Sequence, residues 1–136
     1  MSEHPHVQIA RRAWEAISRG DVETLLDALE PDVVWHATAR GTPWFGTHRG
    51  AESVVDYLAR VGEASEFFEA TLADVLASDE RVLLIFHAAF RRQGRVAELD
   101  YLLLARIRDG RVAEMWTTPL DPATIEALWA PASTTD

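Results

Sequence analysis

Apolar residues recur at helical spacing near the start of the chain: Ala10, Ala13, Trp14 and Ile17 share one side of a helix, with Arg11, Arg12, Glu15 and Arg19 opposite. Gly20 stops that helix, and Asp21 is placed to cap a short second one carrying Leu25, Leu26 and Leu29, which Pro31 ends. Val33 to Ala37 reads as a short strand, after which Gly41, Pro43, Gly46 and Gly50 break the chain as a bent or irregular hairpin requires. A third amphipathic helix presents Val54, Val55, Leu58 and Val61. From Glu66 onward the pattern becomes that of strands: Phe67 to Ala77, Val82 to Arg91, Arg95 to Arg108 and Arg111 to Thr118. Polar turns at Ser78 to Arg81, at Gln93-Gly94 and at Asp109-Gly110 separate them, and the last is a hairpin turn of the primed kind. A short helix from Pro122 to Trp129 closes the series, and residues 131–136 form a tail expected to fray.

The long strands do not alternate cleanly. In Leu99 to Ala105 and in Val82 to Phe90 large apolar residues fall on both parities, so both faces of the sheet need cover at mid-strand. Short helices cover one face only, and a second copy of the chain is the expected cover for the other, which predicts a homodimer.

Length adds that one domain, residues 1–130, is expected: a chain of 136 residues buries roughly 68% of its unfolded surface in a single core. The absence of cysteine excludes disulfides, thiolate metal sites and cysteine nucleophiles. A net charge of −9 with no basic stripe argues against nucleic acid and anionic membranes as partners. All basic residues are arginine, which excludes lysine Schiff-base chemistry. The opening residues MSEHPHVQIARRAW lack a long apolar stretch, and the expected location is cytoplasmic.

Three segments, AWEAISRGDVETLLDALEPDVVWHA, GTPWFGTHRGAESVVDYL and LLLARIRDGRVAEMWTTPLD, together cover nearly the whole chain. In that order the chain resembles the SnoaL-like branch of the nuclear-transport-factor-2-like superfamily. The resemblance implies an α+β fold, in which a cystatin-like curved antiparallel sheet wraps around helices to form a cone with an internal pocket. It implies a range of activities: polyketide cyclases, steroid isomerases, epoxide hydrolases and dehydratases, beside noncatalytic binders. The steroid isomerase roles that the resemblance implies fall at about Ala13, Ala37 and Leu103, none of which moves a proton. The epoxide hydrolase residues have no convincing counterparts, Thr117 and Thr118 lying near one aspartate position. A cyclase-like reading asks only for a shaped apolar pocket and one acid/base group.

Candidates for that group are His36, Asp100 and Tyr101. Imidazole titrates near neutral pH, but Trp35 and Ala37 lie on the parity opposite His36, and the alignment puts those two inward, leaving His36 to the outer or dimer face. Adjacent in a strand, Asp100 and Tyr101 cannot both enter a cavity. Tyr101 shares parity with Leu99 and Leu103 on the expected pocket side, whereas Asp100 either meets an Arg or His partner or carries a raised pKa and a chemical task. His87, within LLIFHAAF, reads as a satisfied core or interface residue whose parity matches His36 and Asp100. Asp121 before Pro122 is a helix cap, and His4 and His6 lack a third ligand, so no metal is expected.

Rings supply the remaining signal. Trp14, Trp35, Trp44, Tyr57, Phe86 and Trp116, with Thr118 beside them, are the expected ligand-binding residues, because five tryptophans exceed what so small a core packs well. The expected function is therefore binding of a small hydrophobic or polycyclic molecule, with cofactor-free acid/base chemistry on it as one form. A noncatalytic sequestering protein and a protein-interaction module are the alternatives.

Overall fold

A computed structural model describes residues 4–131. The frayed tail expected over 131–136 lies, apart from Pro131, outside the described residues. Helix α1 spans Pro5–Arg19, α2 Val22–Ala28, α3 Ala51–Ala64 and α4 Pro122–Trp129; the strands are β1 Leu29–Ala37, β2 Gly46–Arg49, β3 Phe67–Ala77, β4 Arg81–Arg92, β5 Arg95–Arg108 and β6 Arg111–Pro119. One mixed sheet holds all six strands in the order β2-β1-β6-β5-β4-β3.

Local chemistry explains most of the boundaries. Gly20 takes the left-handed conformation at φ 68° that terminates α1. The carboxylates of Asp21 and Asp121 accept the backbone N–H groups of Thr24 and Thr124 at 3.2 and 3.3 Å, capping α2 and α4. At the β4–β5 and β5–β6 turns, Gln93-Gly94 and Asp109-Gly110 have positive φ at both central residues, as a primed hairpin turn demands. The N-terminal histidines belong to the fold. His4 caps α1 with its ring nitrogen and meets Asp79 at 3.0 Å, and His6 meets the Ser78 carbonyl at 2.9 Å, which ties α1 to the β3–β4 turn.

Two features depart from the sequence reading. Leu29 opens β1 instead of continuing α2, and it pairs with Val112 of β6. In addition β1 and β6 run parallel, while every other pairing is antiparallel. The long path through β2, α3 and the β3–β4–β5 meander supplies the crossover that a parallel pair needs. Register shifts at Leu29/Val34, Leu72/Asp74 and Arg106/Ile107 bend the strands.

The helices cover one face of this sheet. Val82, Leu84, Phe86, Ala88 and Phe90 of β4 and Ala97, Leu99, Tyr101, Ala105 and Ile107 of β5 are buried under them, together with Val33, Trp35 and Ala37 of β1. On the opposite face cross-strand partners join Leu83 to Leu104, Ile85 to Leu102 and Leu104 to Trp116, all of them only half-buried.

Candidate functional site

Between the helices and the inner face the side chains leave a cavity of about 370 Å³. Strand alternation sends Trp35, Phe86, Phe90, Tyr101 and Thr117 into its wall, α1 contributes Trp14, and Trp44 enters from the broken segment between β1 and β2. Leu58 and Val61 of α3 close the helical side. Exposed Ile17, Ser18, Phe68 and Glu69 mark the mouth, where the end of α1 faces the start of β3.

The rings form a connected wall. Trp14 meets Phe86 at 5.0 Å between centroids, Phe86 stacks on Tyr101 at 5.4 Å with 10° between planes, and Phe68 stacks on Phe90 at 4.9 Å. The Trp35 indole N–H donates to the Thr117 hydroxyl at 2.9 Å, which fixes the ring across the β1–β6 pair. Trp44, 5% exposed, stands edge-on to Trp129 at 5.1 Å and also lines a second, outer cavity of about 310 Å³ with Pro43, Tyr57, Arg60, Glu63 and Ala64. One indole is thus a wall between two spaces.

One feature of this wall escaped the sequence reading. His48 is 8% exposed, its Nε2 lies 2.7 Å from the Trp44 carbonyl, and its ring sits 3.7 Å from Tyr57 and 5.0 Å from Trp35. It holds the Trp44 segment against the cone. The signal was there in principle, because His48 pairs with Trp35 and so shares its face, but a four-residue strand inside a run of glycines shows no period to read. Phe90 and Leu103, with the parity of Phe86 and Tyr101, line the cavity as well.

The candidates for proton transfer do not converge. Tyr101 is in the cavity wall and 5% exposed; its hydroxyl finds no hydrogen-bond partner, and burial pushes its pKa up, so it stays a neutral phenol. His36 and Asp100 leave the sheet on the other face. There His36 Nε2 meets Glu114 at 2.6 Å and stacks on Trp116 at 5.3 Å, while Arg106 reaches the second Glu114 oxygen at 3.3 Å. The His36 contact, aided by Arg106, holds the Glu114 carboxyl below the usual range. Asp100 binds His87 Nδ1 at 3.0 Å and Glu98 approaches Nε2 at 3.4 Å. Hydrogen bonding to Asp100 first, and to Glu98 second, raises the His87 pKa.

Of the expected ligand-binding residues, Trp14, Trp35, Trp44 and Phe86 line the inner cavity, and Tyr57 lines the outer one under the guanidinium of Arg60 at 5.3 Å. Trp116 and Thr118 face away from both, since they pair with Leu104 and Leu102 on the half-buried outer surface. Among the described residues no group of three or more His, Asp or Glu side chains is arranged to hold a metal ion, and no helix is long and apolar enough to cross a membrane.

Known proteins share this architecture. The model of the SnoaL-like domain family matches residues 10–115. An uncharacterized protein of Mycobacterium tuberculosis H37Rv is 29% identical over 137 residues, spanning 96% of this chain and 100% of that one. Among solved structures, Bal32a from a soil-derived mobile gene cassette is 26% identical with a TM-score of 0.86, covering 93% of this chain and 97% of its own. A protein of cystatin-like fold from Xanthomonas campestris is 29% identical with a TM-score of 0.82, over 92% and 98% of the two chains. IdmH of Streptomyces antibioticus, named as a candidate polyketide cyclase, is 26% identical with a TM-score of 0.74, over 93% and 98%. With a family model matched over most of its length and this cone of helices and bent sheet, the chain belongs to the SnoaL-like family, within the nuclear-transport-factor-2-like superfamily.

Proposed function

We propose that this protein is a cytoplasmic homodimer that binds a mostly apolar, planar small molecule in its inner cavity. The observation that carries the reading is the make-up of the wall. Among the described lining residues the rings and aliphatic side chains dominate, and the sole carboxylate, Glu69, sits at the exposed mouth with no imidazole anywhere in the lining. A volume of about 370 Å³ lies within the usual span of small-molecule sites, and apolar lining with few polar groups is their usual chemistry. Aromatic surface left facing a cavity is stabilised when a flat apolar guest replaces water there.

A second reading, cofactor-free cyclisation, isomerisation or dehydration, is favoured by the likeness to IdmH. In it the Tyr101 hydroxyl is the group that donates to oxygen on the reacting molecule, because a buried phenol is a donor and not a base near neutral pH. A protein-interaction module requires a filled interior, against which the cavity weighs. The homodimer rests on the outer strip of Leu83, Ile85, Leu102, Leu104 and Trp116, which a second copy would bury.

Titration with 1-aminoanthracene tests the reading, since its emission rises on entering an apolar site. Saturable binding that Leu103→Trp abolishes, with the variant still folded, is the expected outcome. Binding that is absent, or indifferent to Leu103→Trp, would end the proposal. Native mass spectrometry of the purified protein reports the dimer and the mass of any copurified guest.

A further inference from the structure

Along β4 and β5 the inner face changes character beyond the ring wall. Phe86 pairs with Tyr101, and the next inward-facing pairs are Leu84 with Leu103 and Val82 with Ala105. There Ala10 and Ala13 of α1 and Ala105 of β5 are too short to fill the space between helix and sheet, which leaves an annex of about 40 Å³. Val112 and Met115 of β6 line its far side. Trp14, Ile17, Leu58 and Leu103 line both the annex and the cavity of about 370 Å³, so the two spaces adjoin across those four side chains.

The linings differ in chemistry. Rings wall the cavity, whereas among the described residues Trp14 is the sole ring in the annex, and every other side chain there is aliphatic or, at Met115, a thioether. Water held in such a space needs about two to four polar partners, and the Trp14 indole N–H is the one hydrogen-bond donor that these side chains offer. The annex is therefore dry, and its lining forgoes the dispersion contacts that a packed core has on every side. Hydrocarbon from a guest restores them. At about 10–15 Å³ for each water-sized sphere, and with a methylene taking about the same room, 40 Å³ holds about three carbons.

We infer that the guest of the inner cavity is a flat ring system bearing a short straight alkyl tail of about three carbons, and that the annex seats this tail. The inference rests on the ligand-binding reading above and narrows it. Rings select the head, aliphatic side chains measure the tail, and a bare polycycle leaves the annex empty.

Equilibrium dialysis of naphthalene and its 2-methyl, 2-ethyl, 2-propyl and 2-pentyl derivatives tests it. Affinity for the unaltered protein rises about fourfold with each carbon up to propyl, the effect of one buried methylene, and gains nothing further at pentyl. An unbroken rise through pentyl, which greasiness alone produces, overturns the inference, as does a series with no rise. Ala105→Val fills the annex, leaving naphthalene unchanged and abolishing the gain beyond methyl. Val112→Ala enlarges it and carries the rise on to pentyl, which gives the answer if the tighter variant does not fold. A folded variant of either kind whose series matches that of the unaltered protein also overturns the assignment. If naphthalene itself does not bind, the ligand-binding reading falls and this inference falls with it. If naphthalene binds and the series has no break after propyl, only the tail falls.

Discussion

Replacing Trp44 by alanine removes the partition between the inner cavity of about 370 Å³ and the outer one of about 310 Å³. The ring is 5% exposed and packs edge-on to Trp129 at 5.1 Å and parallel to Phe90 at 6.5 Å. Truncating a buried aromatic costs about 3–5 kcal/mol, and the low end applies because two sides of this indole already face open space. With an unfolding entropy of about 2.1 cal/mol/K per residue, 136 residues give about 0.29 kcal/mol/K, so a loss of about 3 kcal/mol lowers Tm by about 10 °C. Differential scanning calorimetry reads that shift. The enlarged space changes size preference as well: the affinity ratio of pyrene to naphthalene, measured by equilibrium dialysis, rises in Trp44→Ala. A drop in Tm under about 3 °C would mean that the indole is not part of the packed wall. An unchanged ratio would mean that the two spaces do not merge.

The other expectations concern the outer face and the helix ends. His87, with its pKa raised chiefly by Asp100, titrates above the ordinary imidazole value of about 6.5 in NMR spectra, and Asp100→Asn moves it back down. Because the folded value is the higher one, this pairing stabilises the fold fully below the unfolded pKa and loses that contribution as pH rises through the folded pKa. A His87 titration at or below the free value would contradict the geometry. The proposed homodimer predicts that the unaltered protein runs as a dimer in light scattering behind a sizing column and that Ile85→Glu, in the middle of the half-buried outer strip, runs as single chains; an unaltered protein that runs as a single chain refutes the dimer, and a variant that stays dimeric removes that strip from the proposed interface. Asp121→Ala, which deletes the α4 cap, costs about 1 kcal/mol and lowers Tm by about 3 °C, and no shift would show that α4 is held by its packing alone.

Period-two reading carried far in this chain, because it needs only local information. It separates Tyr101 from Asp100 and Trp35 from His36, and the strand pairings put the members of each couple on opposite faces. The turn at Gln93-Gly94 and the primed turn at Asp109-Gly110 are legible for the same reason, two residues sufficing to mark each, while the positive φ of Gln93 appears only in the structure. What stayed hidden depends on partners distant in sequence. The parallel β1–β6 pairing joins Trp35 to Met115 across some eighty positions, and no local pattern records it. Leu29 has the apolar spacing of α2, yet its pairing with Val112 draws it into a strand. Trp116 is expected in the site on composition, with Thr118 beside it, while their parity with the outer row removes both from the cavity. His48 is visible only once the short β2 is laid against β1.

The register shift between Leu72 and Asp74 sits on β3, the outermost strand at that end of the sheet. Asp74 folds its carboxylate onto the Val75 backbone N–H at 2.9 Å. A neighbouring polypeptide looking for a straight ladder to extend meets a kink and an amide already taken. Fibril growth by lateral recruitment is thereby discouraged at this border.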